Sequence, residues 1–141
     1  MPGTNIKDIL TEMAGQLQGS WVIIVADSDG MLLSSWASPD NKLPPEMLGG
    51  FIQTVNESID AFKQSTSGFG KLDDVIFTMG FSSLVIKPIA GGACFMVIQS
   101  PKTVPLGMIR MAANSYTPKL EQALPGYGVT QNQESIGTVV S

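Results

Sequence analysis

Residues 45–64 read PEMLGGFIQTVNESIDAFKQ, and the chain is best understood outward from them. Leu48, Phe51, Ile52, Val55, Ile59 and Phe62 recur at three- and four-residue spacing, which makes one apolar stripe on a helix. Gln53, Asn56, Glu57, Asp60 and Gln64 fall on the opposite face, so the helix lies on something. Pro44 and Pro45 suit a helix start, and Glu46 in the first turn favours the same end. Gly50, Thr54, Ser58 and Ala61, with Met47 beside them, line a third strip. Small residues at four-residue steps let a second backbone approach, by analogy with a rule best documented in membranes. Gly49 and Gly50 each cost roughly 1 kcal/mol relative to Ala inside a helix. Close packing at Gly50 and fraying of the first turn account for the pair equally well.

Upstream, residues 5–18 predict a first helix with Ile6, Ile9, Leu10, Met13 and Leu17 as its stripe, Asn5 and Asp8 as a capping pair, and Gly19 as its end. SWVIIVA (20–26) is continuously apolar, the pattern of a strand covered on both faces. Asp27-Ser28-Asp29-Gly30 is turn chemistry, and MLLSSWA follows as a second strand, so 20–37 is a hairpin. Residues 38–44 form a loop into the central helix, which runs out at STSGFG (65–70). Downstream come three strands: LDDVIFTM (72–79), LVIKPIA (84–90) and ACFMVIQS (93–100), with Gly91-Gly92 as a two-residue hairpin signal. Pro88 cannot donate to a ladder, so its strand lies at an edge or bulges there. Pro105 starts a last helix with Leu106, Ile109, Ala113 and Tyr116 on one face. Pro118 should kink or divide it, with Thr117 capping a short second piece that carries Leu120 and Leu124.

The order is α-β-β-α-β-β-β-α, an α+β fold with a five-stranded antiparallel sheet and helices on both faces. The central helix should cover one face and the terminal helices the other. LDDVIFTM is the candidate for a free sheet edge, which proteins commonly manage by pairing with a partner. Residues 1–125 are expected to form one domain and 126–141, polar and without periodicity, a flexible tail. No internal repeat is visible.

Composition narrows the function. Net charge is −4, the sequence pI is about 4.5, and only eight residues are basic. That balance opposes nucleic acid and anionic membranes, which need clustered Lys and Arg. No apolar run approaches the roughly 20 residues of a membrane span, and MPGTNIKDIL carries no secretory pattern, so a cytoplasmic location without membrane insertion is expected. The single Cys94 excludes an internal disulfide framework and reads as a buried, inert thiol. With no histidine, Ser-His and Cys-His nucleophiles and imidazole-rich metal sites are ruled out. A calcium loop beginning at Asp27 fails, because its fifth position is Met31 and its twelfth is Ser38. No phosphate-binding loop or dinucleotide fingerprint occurs, and Asp73-Asp74 should point to opposite faces of a strand. The eight methionines are read as core filling. No catalytic residues, metal or cofactor are expected, and the enzyme reading ranks last.

Four stretches carry a resemblance: GSWVIIVADSDGMLLSS (19–35), the helix from Glu46 to Gln64, the meander from Leu72 to Ser100, and PLGMIRMAA (105–113). Together they span roughly residues 5–124, and through them the chain resembles the roadblock/dynein light chain family, particularly its prokaryotic MglB-like branch. The specificity lies in the strand–Asp-x-x-Gly–strand hairpin and the whole order of elements. The resemblance implies a profilin-like fold and a homodimer in which the second helix and third strand of each subunit meet in one continuous sheet. The dimer-interface candidates are then Met47, Gly50, Thr54, Ser58, Ala61, Asp73, Val75, Phe77 and Met79. It also implies a role beside a Ras-like small GTPase, as activator or scaffold, with Gln53, Asn56, Glu57 and Asp60 as contact candidates. The competing reading of those four is an ordinary solvated helix face. Arg110 is the only arginine and falls in the last helix beside core positions, whereas an arginine finger needs a mobile or exposed position. Stimulation is therefore expected to work by ordering the GTPase's own catalytic loops. The alternatives are a structural dimerisation module with no effect on GTP hydrolysis, and a ligand-sensing domain, which would need a pocket.

Overall fold

The structure, a computed structural model, describes residues 5–41 and 43–124. The expected tail at 126–141 lies outside them. The elements are α1 (Ile6–Gln16), β1 (Val22–Asp27), β2 (Leu32–Ala37), α2 (Pro45–Ser65), β3 (Val75–Thr78), β4 (Ser82–Ile89), β5 (Cys94–Pro101) and α3 (Leu106–Ala123). The strands form one antiparallel sheet in the order β2-β1-β5-β4-β3. This is the expected α+β order, and β3 lies at the edge as expected.

The period of two along each strand sorts the core into two layers. Ile23 and Val25 of β1, Met96 and Ile98 of β5 and Val85 of β4 face α1 and α3. Val22, Ile24 and Ala26, with Phe95, Val97, Leu84 and Ile86, face α2. The three inner strands are thus apolar on both sides, which explains the continuous run at 22–26. Asn5 caps α1 by accepting the Asp8 N–H at 2.9 Å. Asp27 shapes the β1–β2 turn, accepting from the N–H groups of Asp29 and Met31 at 2.9 and 3.0 Å.

Several expectations are corrected. β4 is an interior strand of the sheet, yet at Pro88 it is locally an edge. The proline is tolerated because β3 has already ended at Val75, opposite Ile86, so position 88 has a strand on only one side. The β4–β5 connection is longer than two residues: Ala90, Gly91 and Gly92 all take positive φ (52°, 67° and 94°) in a 3₁₀ turn. Pro118 does not divide α3, which runs through to Ala123. Thr117 donates its hydroxyl back to the Ala113 carbonyl at 2.7 Å instead of capping a new helix. Burial of Leu120 and Leu124, at roughly 2 kcal/mol each, offsets a helix-interior proline costing about 3 kcal/mol.

Methionine is mostly not core filling. Met13 and Met96 are buried, while Met31, Met47, Met79, Met108 and Met111 are exposed. Close packing in α2 falls at Gly49, not Gly50. A Cβ on Gly49 would stand 2.5 Å from the Gly30 carbonyl oxygen, whereas one on Gly50 would meet nothing within 4 Å. The start of α2 is therefore seated directly on the β1–β2 turn. Among the described residues, no helix is long and apolar enough to cross a membrane.

Candidate functional site

Helix α2 buries Leu48, Gly49, Ile52, Val55 and Ile59, a narrower stripe than its sequence pattern. Phe51 and Phe62 leave it. They stand three turns apart on the flank toward β3, and Phe62 is 58% exposed. Phe51 meets Phe77 of β3 edge to face, with ring centroids 5.5 Å apart and planes at 61°. Between helix and strand runs an apolar groove of about 420 Å³, lined in part by Phe51, Thr54, Ser58, Phe62, Val75 and Phe77. Of the interface candidates, Thr54, Ser58, Val75 and Phe77 come together there. Met47, Gly50, Ala61, Asp73 and Met79 are exposed but do not line the groove.

The concentration of aromatic surface is the main feature of this side. Five of the six phenylalanines are exposed: 51, 62, 69, 77 and 81, all in α2 or in residues 69–81. Only Phe95 is core. The strand they surround pairs with β4 alone in the sheet, so its other side presents unpaired backbone groups.

One charged residue lines the groove. Asp74, just before β3, is 13% exposed and accepts from Arg110, which is 47% exposed. The Arg110 Nε lies 2.8 Å from Oδ2, and Nη2 lies 3.4 Å from Oδ1. Arg110 sits on α3, against the sheet face opposite α2, and reaches past the edge to this carboxylate. The sequence placed it beside the core; its side chain is instead exposed and tethered. Asp73 is exposed and does not line the groove, and both acids precede β3, which starts at Val75, so the strand alternation expected for them does not apply.

The opposite flank of α2 is polar. Gln53, Glu57 and Asp60 are exposed and Asn56 is half-buried. Asn56 and Asp60 overhang a second cleft of about 670 Å³, with Lys63 and Lys71 also on its rim and Phe95 in its wall. It opens where β3 starts late and leaves the end of β4 uncovered. Gln53 and Glu57 do not line it. The four contact candidates therefore share a flank but not a pocket.

The remaining polar groups tie the frame together. Glu12 of α1 accepts from the Tyr116 hydroxyl of α3 at 2.8 Å and lies 3.5 Å from Lys119 Nζ. The Tyr116 bond, with Lys119 helping, holds the Glu12 carboxyl below its usual range. Burial, then Glu12, pushes the Tyr116 hydroxyl up. Glu121 accepts the Ala90 N–H at 2.8 Å, and Ser20 and Ser100 share a buried hydrogen bond of 2.8 Å. Burial, with the nearby Asp27 carboxylate, pushes the Cys94 thiol up to about 11. Among the described residues, no group of three or more His, Cys, Asp or Glu is placed to hold a metal.

Sequence reasoning missed Phe51, Phe62 and Asp74 as groove residues. Six apolar positions make a stripe too wide for one sheet face, and that excess was the available signal for the two phenylalanines. Nothing local distinguished Asp74 from Asp73.

No protein-family model matches the chain, and no curated protein does. Solved structures do. MglB from Myxococcus xanthus superposes with a TM-score of 0.73 at 15% identity, over 85% of this chain and 94% of that one. An MglB with tetrameric arrangement gives 0.69 at 19% identity, over 83% and 88%. A roadblock/LC7 domain from Streptomyces avermitilis gives 0.67 at 11% identity, over 83% and 98%. The chain has the fold shared by the MglB and roadblock/LC7 proteins.

Proposed function

We propose that this chain is a non-enzymatic regulator of a Ras-like small GTPase that acts as a pair of identical subunits. One observation carries the reading: α2 exposes two separate flanks, an apolar one merging with the open edge of β3 and a polar one bearing Gln53, Asn56, Glu57 and Asp60. The apolar flank suits a second copy. A free strand pairs readily with its own twin about a two-fold axis, and the phenylalanines around it supply the apolar area such a contact buries. The existence of a tetrameric MglB arrangement supports self-association in this fold. The polar flank then stays open for the GTPase. Arg110 is exposed, but it lies against the other sheet face and is engaged by Asp74, which supports ordering of the GTPase's own catalytic loops over charge donation to a transferring phosphate.

The test is single-turnover GTP hydrolysis by the Ras-like GTPase encoded nearest to this chain, with and without the protein. A rate increase that disappears with Asp60→Lys is the expected result. Firm binding without acceleration favours the second reading, a dimerisation scaffold, which the groove and the open edge support without the polar flank. Neither binding nor acceleration overturns both for that partner.

A further inference from the structure

We infer that Arg110 is a positioning residue for self-association: it neutralises Asp74 so that a second copy can close over the apolar groove. The inference rests on the second-copy reading above.

Three observations combine. Asp74 is the one charged residue among the groove's lining, which is otherwise apolar or carries only the hydroxyls of Thr54 and Ser58. Its side chain is already 13% exposed in the single chain, so little further approach is needed to remove it from water. Its partner comes from the opposite sheet face, around the edge, with two nitrogens at 2.8 and 3.4 Å on two oxygens. A two-pronged guanidinium contact of this kind fixes a carboxylate's direction as well as its charge.

The consequence differs between the single and paired states. In the single chain the pair is half open to water through Arg110, and such pairs contribute little. Closing a second copy over the groove desolvates Asp74, and an unpaired carboxylate there becomes strongly unfavourable. A two-fold contact doubles the problem, because each copy brings its own Asp74 to the same interface. Removing Arg110 therefore weakens association far more than it weakens the fold. Removing Asp74 does neither, because Arg110 is exposed enough to be hydrated.

The experiment is sedimentation of the full chain over a concentration series for the wild type, R110Q, D74N and the double variant. The dimer dissociation constant should rise by roughly tenfold or more in R110Q. D74N should stay near the wild-type value, and the double variant should return toward D74N. Melting of dilute R110Q should stay close to the wild type. A wild-type dissociation constant in R110Q, or a D74N dimer as weak as R110Q, overturns the inference while leaving self-association standing. Should R110Q not fold, R110M, uncharged and of similar length, takes its place under the same criterion. A wild type that stays monomeric at every concentration removes the second-copy reading itself. In the hydrolysis assay, R110Q should reach the wild-type maximal rate at higher protein concentration; a lower maximum at saturation means Arg110 acts on the nucleotide.

Discussion

At the scale of single residues, the two cores impose conditions that can be measured. Cys94 faces the layer under α1 and α3 with no solvent access, and its thiol is pushed up to about 11. The unfolded chain loses that proton near pH 9 and the folded chain only near 11, so the unfolded state binds fewer protons between them. Stability should be intact below pH 9 and fall by on the order of 2 kcal/mol as pH rises to 11. Tyr116, also pushed up, acts in the same direction above about pH 10. Denaturant midpoints for the wild type and Cys94→Ala across this range separate the two, since only the cysteine's share vanishes in the variant. The glycine pair in α2 gives a second residue-level outcome. Gly49→Ala should destabilise by about 1–3 kcal/mol, because the new methyl meets the Gly30 backbone. Gly50→Ala, in open space, should stabilise the isolated chain by about 0.5–1 kcal/mol. Urea unfolding at low protein concentration reads both. The sequence marked the pair but could not choose between its members, because the choice is made by a turn nearly twenty residues earlier in the chain.

At the scale of elements, β3 is the least anchored part of the sheet. It is four residues long, pairs only with β4, and is half-buried at Val75 and Ile76 and exposed at Phe77 and Thr78. Its amide hydrogens should exchange fastest among the strands in dilute protein, and their protection should rise with protein concentration while that of β1 and β5 does not. Protection that ignores concentration counts against pairing at this edge. The existence of each element was legible from apolar periodicity, and β3 was a candidate for the free edge because it follows the linker after α2. What was not legible depended on neighbours. Pro88 is tolerated because the neighbouring strand does not reach it, and Pro118 is carried by Leu120 and Leu124 further along the chain. Both departures break a local rule and are resolved by a contact the local sequence does not contain. The dimer candidates Thr54, Ser58, Val75 and Phe77 were brought together by the α2–β3 geometry, yet Phe51 and Phe62 were assigned to the core. Their apolar character was correctly read; which side of the stripe margin they occupy depends on the width of the sheet below.

At the scale of the whole molecule, sheet order separates two kinds of aromatic residue. Trp21 leads into β1 and Trp36 lies on β2, at one edge of the sheet, and both are half-buried. The exposed phenylalanines crowd the other edge, with three strands between the two edge strands. The molecule thus carries its two bright chromophores where nothing is proposed to dock, and its weakly absorbing rings where something is. Tryptophan emission will follow the fold and stay silent about assembly, so folding and assembly can be watched by separate instruments in one sample, with no label attached.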